Sequence, residues 1–479
     1  MQKAIFVIGG LALGVTSLGC GSASSSEGGV ASTDAELRGS CDLSTSTKFY
    51  VPPPDPGAVK QAEQLVRKRK LADALAIAAL ETIPSAVWFD GGTPTEVRRS
   101  VQKTALAAKL EKRVPVLVAY NLPFRDCAQY SSGGALDTAA YKKWIDAFAN
   151  GIGSAEALVI LEPDGLGLIP YNTPLFGAME WCQPTVTDAS GATIPAPGAS
   201  AAERYAQIQY AISSLKSHAP KASVYLDATH SAWLGVGEAA YRLYKAGFVA
   251  GVQQVQGFYV NVSNYQPTDQ STQFGIWVSD CLTAGTPGVG PSWMQNPDTG
   301  LPHFDYCTGQ YDPATNYTKV NYTPEFAAGV TAANEGLMGG ASAQVHFVID
   351  TSRNGKGVLN SAPYAAAPYN QPASVIAALD SGNWCNPYGA GLGLRPTAST
   401  GVPLVDAYLW VKTPGQSDGS CDIAGGARGW DYSKYNIWGL TGDALNHFDP
   451  LWGIVDPAAG AWFPEQALQL AKNATPRLL

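Results

Sequence analysis

Ala157-Leu158-Val159-Ile160-Leu161-Glu162-Pro163-Asp164-Gly165 is the stretch that decides the fold. Five apolar residues in a row, with β-branched Val159 and Ile160 at the centre, run into two carboxylates, a proline and a glycine. The run is too short for a helix and has no polar alternation, so neither face is meant for water. That is the pattern of a parallel strand covered on both sides. Six other runs share it: Ala86–Phe89, Val114–Tyr120, Ser223–Leu226, Val255–Val260, Val345–Ile349 and Val405–Val411. Segments of helical period lie between them. Glu96–Arg113 opens after Thr93-Pro94, an N-cap with proline at the first helical position. Thr138–Gly151 follows Asp137, and Ser200 with Glu203 makes a capping-box signature ahead of Tyr205–Lys216. Thr323-Pro324 starts another helix. The alternation predicts an α/β fold, either a (β/α) barrel or an open doubly wound sheet.

Each run ends on residues fit for chemistry. Trp88 and Asp90 close the first, Tyr120 to Arg125-Asp126 the second, and Glu162 with Asp164 the third. Asp227 and His230, Asn261 and Asn264, Asp350 and Arg353, and Lys412 with Asp418 follow the other four. At any single strand, Asp or Asn can simply stop the strand and cap the next helix. Recurrence at all seven favours a site on the C-terminal rim, where barrel enzymes do their chemistry.

Composition narrows the chemistry. The 479 residues carry 39 acids against 31 bases, for a net charge of −8, which argues against a phosphate-binding nucleic-acid partner. Fifty-one glycines and 33 prolines predict many loops, and 12 Trp with 22 Tyr supply aromatic surface. The sequence holds no HExxH, P-loop or GxGxxG. Carboxylates among aromatics remain, a combination suited to sugars: ring faces stack on Trp and Tyr while hydroxyls bond to polar groups. Cleaving a glycosidic bond needs one carboxyl kept protonated by burial or by neighbouring negative charge. Asp164, at the mouth of an apolar strand, suits that role.

The N-terminus has the layout of an export signal over residues 1–20, with Lys3 ahead of the apolar run Ala4–Val15. Ser17-Leu18-Gly19-Cys20 is similar to a lipoprotein cleavage site, which leaves lipid anchoring at Cys20 and plain secretion both open. A Ser/Gly-rich tether, 21–46, leads into a single barrel domain, 47–479, expected to be monomeric. Eight cysteines without a CxxC pair, beside five histidines, point to disulfides rather than zinc, with one cysteine left over once Cys20 is set aside.

Val118-Ala119-Tyr120-Asn121-Leu122-Pro123-Phe124-Arg125-Asp126-Cys127 resembles the V-x-Y-x-x-P-x-R-D-C signature of family 6 glycoside hydrolases, and Leu158 to Asp164 resembles their second signature, ending in E-P-D. The likeness continues through Tyr225–Trp233, Ile349–Gly355, Asn383–Asn386 and Trp410–Gly419. It implies a cellulase on a distorted, incomplete seven-stranded (β/α) barrel with long loops over the C-terminal face. Such an enzyme hydrolyses β-1,4-glucosidic bonds with inversion and needs no metal or other cofactor. The competing expectation is a non-catalytic glucan-binding protein on the same barrel.

Carried over residue by residue, Asp164 matches the general acid and Asp126 the carboxylate that raises its pKa. Tyr120 matches the tyrosine beneath the distorted sugar, Arg125 the arginine holding the carboxylates, and Ser132 the serine of a water-positioning loop. Asp418 matches the candidate base. Trp88, Trp233 and Trp384 match sugar platforms, and Asp90, Asp227, His230, Asn261, Lys412 and Gln416 fall at polar substrate-binding positions. The resemblance implies disulfides Cys127–Cys182 and Cys385–Cys421, leaving Cys281 and Cys307 to pair with each other and Cys41 over. Gln416 departs from the family's usual Glu, Val236 from a Trp of some chain-end cutters, and Gly165 from the common Ser or Leu. Insertions at Cys182–Ala199, Thr268–Tyr322 and Cys421–Ala461 lean towards a covered cleft.

Overall fold

The computed structural model of the chain describes residues 43–128, 133–248, 255–367, 369–381, 384–421, 448–449 and 451–479. The seven apolar runs become seven strands: β1 Val87–Phe89, β2 Val116–Ala119, β3 Ala157–Leu161, β4 Ala222–Asp227, β5 Gly257–Val260, β6 His346–Asp350 and β7 Val405–Leu409. They pair in sequence order and all in parallel. The two outer strands, β1 and β7, are not laddered together. Their ends meet where Ala86 N–H donates to the Trp410 carbonyl at 2.9 Å and Trp88 Nε1–H donates to the Val411 carbonyl at 2.7 Å. The architecture is the distorted, incomplete barrel the resemblance implied.

The strands are apolar throughout because both faces are packed. Leu158 and Ile160 point into the barrel with Val116, Val118, Tyr225, Tyr259 and Val348. Val159 and Leu161 point outward with Leu117, Ala119, Leu226 and Phe258 against the helices. Successive side chains alternate between these two cores, so every position of β3 is buried.

The predicted helices form, and Thr93, Asp137 and Ser200 cap three of them, whereas Thr323 makes no side-chain cap bond. α1 spans Pro56–Arg67, α2 Leu71–Leu80 and α3 Pro94–Leu110. α4 spans Thr138–Ile152, α5 Ala201–His218 and α6 Val236–Ala246. At α3, Thr93 Oγ1 accepts from Glu96 N–H at 3.3 Å while Glu96 Oε2 accepts from Thr93 N–H at 2.8 Å, completing the capping box. Asp137 caps α4 through Ala140 N–H at 2.7 Å, and Ser200 caps α5 through Glu203 N–H at 3.1 Å. α7 Thr268–Gly285, α8 Pro324–Leu337, α9 Ala373–Ser381 and α10 Pro464–Lys472 complete the longer helices among the described residues.

One insertion expected from sequence is different. Thr268–Tyr322 begins with a helix of the barrel wall, α7, whose Phe274, Trp277, Val278 and Leu282 lie in the main core. The remainder is loop, tied back to α7 by a Cys281–Cys307 disulfide. Cys127–Cys182 and Cys385–Cys421 are also joined. The export signal, Cys20, most of the tether, Cys41, Ser132, Trp430 and Trp438 lie outside the described residues. Among those described, no helix is long and apolar enough to cross a membrane.

Candidate active site

The C-terminal ends of the strands open into a cleft of about 1220 Å³. On its floor, the chain leaves β3 through Glu162 at φ +52° and Asp164 at φ +60°. Left-handed backbone at non-glycine residues is strained and persists only where surrounding bonds over-determine it. Here they do. Asp227 accepts from the N–H groups of Leu166 and Gly167, both at 3.2 Å, and of Thr229 at 2.8 Å. From α5, Arg204 Nη1 donates to the carbonyls of Gly165 at 2.7 Å and Leu168 at 3.0 Å, and its Nη2 to that of Pro123 at 2.9 Å. From α6, Arg242 Nη1 donates to the carbonyls of Leu166 at 2.7 Å and Gly167 at 3.1 Å. Both arginines are buried. The turn behind Asp164 is therefore bolted from beneath, and through Pro123 it is tied to the loop that carries Asp126.

That second loop is also left-handed, at Phe124, Asp126 and Cys127. The Tyr120 hydroxyl donates to Asp126 Oδ2, and Trp88 sits edge-on to the Tyr120 ring with centroids 5.2 Å apart. Arg125 lies 4.1 Å over the same ring and donates to the carbonyls of Tyr120 at 2.5 Å and Asp90 at 2.9 Å. Gly134, at φ +100°, passes so near Leu122 that an added Cβ would fall 1.8 Å from its carbonyl oxygen, so this exit from the loop needs glycine.

Asp164 keeps part of its surface on the cleft. Burial raises its pKa well above the usual carboxylate range, and the negative charges of Asp126, Asp227 and Asp418 push it further the same way. None of the salt bridges among the described residues includes it. Asp418, which lines the same cleft, is its electrostatic counterpart. Burial alone would raise its pKa too, but Arg353 and Lys412 override that and hold it below the usual range. Arg353 Nη1 reaches both carboxylate oxygens, at 2.8 and 2.9 Å, and Lys412 Nζ lies 3.3 Å away. Asn386 N–H donates at 3.0 Å and the Tyr265 hydroxyl at 3.3 Å. The surroundings thus push the two carboxyls apart, the pKa of Asp164 up and that of Asp418 down, the separation that acid–base chemistry uses.

Around the pair, Trp88, Trp233, Trp384, His230, Lys412 and Gln416 line the cleft, and so does Asp90. Burial pushes the His230 imidazole down to about 3, so it is neutral. Its Nδ1 accepts from Ala232 N–H at 3.2 Å, which leaves the proton on Nε2 as a donor.

Two expected substrate contacts are elsewhere. Asp227 is 3% exposed and off the cleft wall, its oxygens spent on the backbone behind Asp164. Asn261 is fully buried, bridging the Asp350 and Gln266 carbonyls and accepting from Gln266 N–H. Both shape loops instead of facing the cavity. Val236 is buried at the start of α6. Arg204 and Arg242 were not singled out from the sequence. Arg204 did carry a signal: it sits in register with Ile208, Ala211 and Leu215 on the apolar stripe of α5, where a cation must be buried and bonded.

Comparisons with known proteins agree with this geometry. "Endoglucanase 1" of Streptomyces halstedii is 30% identical over 387 residues, covering 81% of this chain and 86% of that protein. "Endoglucanase 1" of Streptomyces sp. KSM-9 is 30% identical over 71% of this chain, but the match spans only 65% of its length. Among solved structures, the endoglucanase Cel6 of Mycobacterium tuberculosis, in complex with methyl-cellobiosyl-4-deoxy-4-thio-β-D-cellobioside, superposes with a TM-score of 0.53 at 28% identity. That superposition covers 89% of this chain and 97% of the other. The family model "Glycosyl hydrolases family 6" matches residues 44–474, nearly all of the barrel and both walls of its cleft, and the chain belongs to that family.

Proposed function

We propose that the protein hydrolyses β-1,4-glucosidic bonds of cellulose or cello-oligosaccharides with inversion at the anomeric carbon. The observation that carries this is that Asp164 and Asp418 line one aromatic-lined cleft with their pKa values driven in opposite directions, the first up by burial and neighbouring carboxylates and the second down by Arg353 and Lys412. Asp164 gives its proton to the bridging oxygen as the bond to C1 breaks. A water attacks C1 from the other face, and its proton moves towards Asp418. The new C1–OH then lies on the opposite side, giving the α-anomer. Asp126, bonded by Tyr120, keeps negative charge beside the acid, and Tyr120 with Trp88 supports the sugar at the cleavage point. Trp233 and Trp384 stack neighbouring sugars, while His230, Lys412, Asp90 and Gln416 bond their hydroxyls. Ser132 is assigned to positioning water, as the family motif implies.

Relatives named as endoglucanases, and a neighbour holding a cello-oligosaccharide analogue, support the substrate class. Three disulfides support a protein exported to an oxidising compartment, working as one barrel domain behind its signal and tether. Incubation with cellohexaose tests the reading. New reducing ends, born as α-anomers by proton NMR and reduced about 10²–10⁴-fold in Asp164→Asn, are expected. Binding without cleavage would instead identify a glucan-binding protein, and β-anomers would overturn inversion.

A further inference from the structure

Trp181 has a place that the catalytic constellation does not explain. Its indole is 58% exposed, yet it lines the same cleft as Trp233 and Leu168. Other exposed aromatics, Phe176 and Trp293, do not line it. Single exposed apolar side chains are ordinary on a protein surface. This one differs in how firmly the chain holds it out.

The residues on either side of Trp181 are both anchored. Glu180 is ion-paired with buried Arg242, accepts from Asn172 Nδ2 at 3.3 Å, and donates its N–H to the Asn172 carbonyl at 2.9 Å. Cys182 is fully buried, is joined to Cys127 beside Asp126, and accepts from Tyr171 N–H at 2.9 Å. Among the described residues no hydrogen bond or ring contact engages the indole itself. A flexible surface loop would let a tryptophan fold down onto apolar neighbours. Two fixed ends prevent that, so the exposed ring face is part of the built structure of the cleft.

Its position along the cleft follows from the turn beyond Asp164. Gly167 lies under the Trp233 ring, where an added Cβ would be 2.6 Å from Cη2. Leu168 comes next and lines the cleft, and Tyr171, three residues on, is bonded to Cys182. The same turn therefore touches Trp233 at one end and the Trp181 segment at the other.

We propose that Trp181 is a stacking platform for a further glucosyl unit, extending the substrate site beyond Trp233. This rests on the reading of the cleft as a glucan site. The ligand is a β-1,4-linked glucan chain long enough to pass Trp233, whose sugar ring lays its apolar C–H face on the indole. Because the ring is preset, it gains contact area at little cost in ordering.

The test is chain-length dependence. In Trp181→Ala, kcat/KM on cellohexaose is expected to fall about fivefold more than kcat/KM on cellotetraose, whereas Trp181→Phe retains most of the difference. An exposed side chain leaves no core cavity when truncated, and unchanged thermal denaturation checks that. Equal losses on both oligosaccharides, or none on either, overturn the proposal. Should the wild type release no reducing ends, the hydrolase reading fails. Calorimetric titration of wild type and Trp181→Ala with cellohexaose then decides the platform separately: a fall in affinity of about fivefold supports it and equal affinity removes it.

Discussion

Gln416 donates its side-chain amide to Asp55 Oδ2 at 3.2 Å, joining the cleft wall to the cap of the first helix across 361 positions of chain. Asp55 is committed there. Its Oδ1 accepts from Gly57 N–H at 2.7 Å, and its own N–H donates to Glu81 Oε2 at 2.8 Å. The family's usual glutamate at position 416 would put a second carboxylate against Asp55, with Glu81 close behind. Glutamine is the residue that suits this neighbour, so the departure from the family pattern has a local electrostatic cause.

Gln416→Glu is accordingly expected to destabilise the fold by about 1 kcal/mol at neutral pH, less in high salt because the site is half exposed. Asp55→Asn in the same chain should restore most of that loss. Chemical denaturation of the two single variants and the double variant measures the coupling, and strict additivity would show that the two side chains do not sense each other.

The pH profile reports on Asp164. A general acid works only while protonated, so the rate should fall as pH rises through its raised pKa. After burial itself, the charge of Asp126 does most to hold that pKa up. Asp126→Asn removes the charge and should move the alkaline limb of kcat/KM down by about 1 pH unit, alongside a loss of rate. A limb that stays where it was would mean that the charge at Asp126 is not felt at the acid.

Arg204 makes a different prediction, because its guanidinium bonds backbone carbonyls near the acid. Burial lowers the Arg204 pKa to about 10, which still leaves it charged at neutral pH. Its planar fork reaches three carbonyls on two loops, a geometry that an ammonium cannot reproduce. Arg204→Lys should cost about 2 kcal/mol of stability and lower kcat on cellohexaose about tenfold with little change in KM. A variant that loses stability but keeps kcat would make Arg204 a scaffold residue with no hold on the acid's position.

The barrel was legible because β3 and its neighbours are buried on both faces, so their sequences are apolar without interruption. The rim was legible only in part. Glu162, Asp227, Asp350 and Asp164 all follow an apolar run in the same manner, yet only Asp164 reaches the cleft wall. Glu162 accepts from Asn121 and Leu122 N–H, and Asp350 from Ser263, Ser352, Val411 and Lys412 N–H. Those donors come largely from other loops, and no local pattern announces them. Counting acids at strand ends therefore found the right rim but mixed loop staples with cleft residues. The family motif, read position by position, separated Asp164 from Glu162 but still carried Asp227 and Asn261 to the substrate. α7 was hidden for another reason: its apolar residues, Phe274, Trp277 and Val278, are set among Thr, Gln, Ser and Asp, so it resembled an inserted loop.

The cluster around Asp418 yields the sharpest linked prediction. Arg353 is fully buried and Lys412 nearly so, and Asp418 balances both. Removing the carboxylate charge strands two cations in the interior, so Asp418→Asn should destabilise by about 3–5 kcal/mol, and Asp418→Asn with Arg353→Met by less than the sum of the two single losses. The pH dependence has a definite sign. The folded pKa of Asp418 is depressed, so its contribution is complete above the ordinary carboxylate range and is lost as pH falls through the lower folded value. Stability of the wild type should therefore drop more steeply than that of Asp418→Asn below about pH 4. Denaturation curves at pH 3 and pH 6 compare the two directly. Parallel pH dependence would mean that Arg353 and Lys412 do not hold Asp418 ionised, and the carboxylate proposed to draw the proton from water would have no special charge to do so.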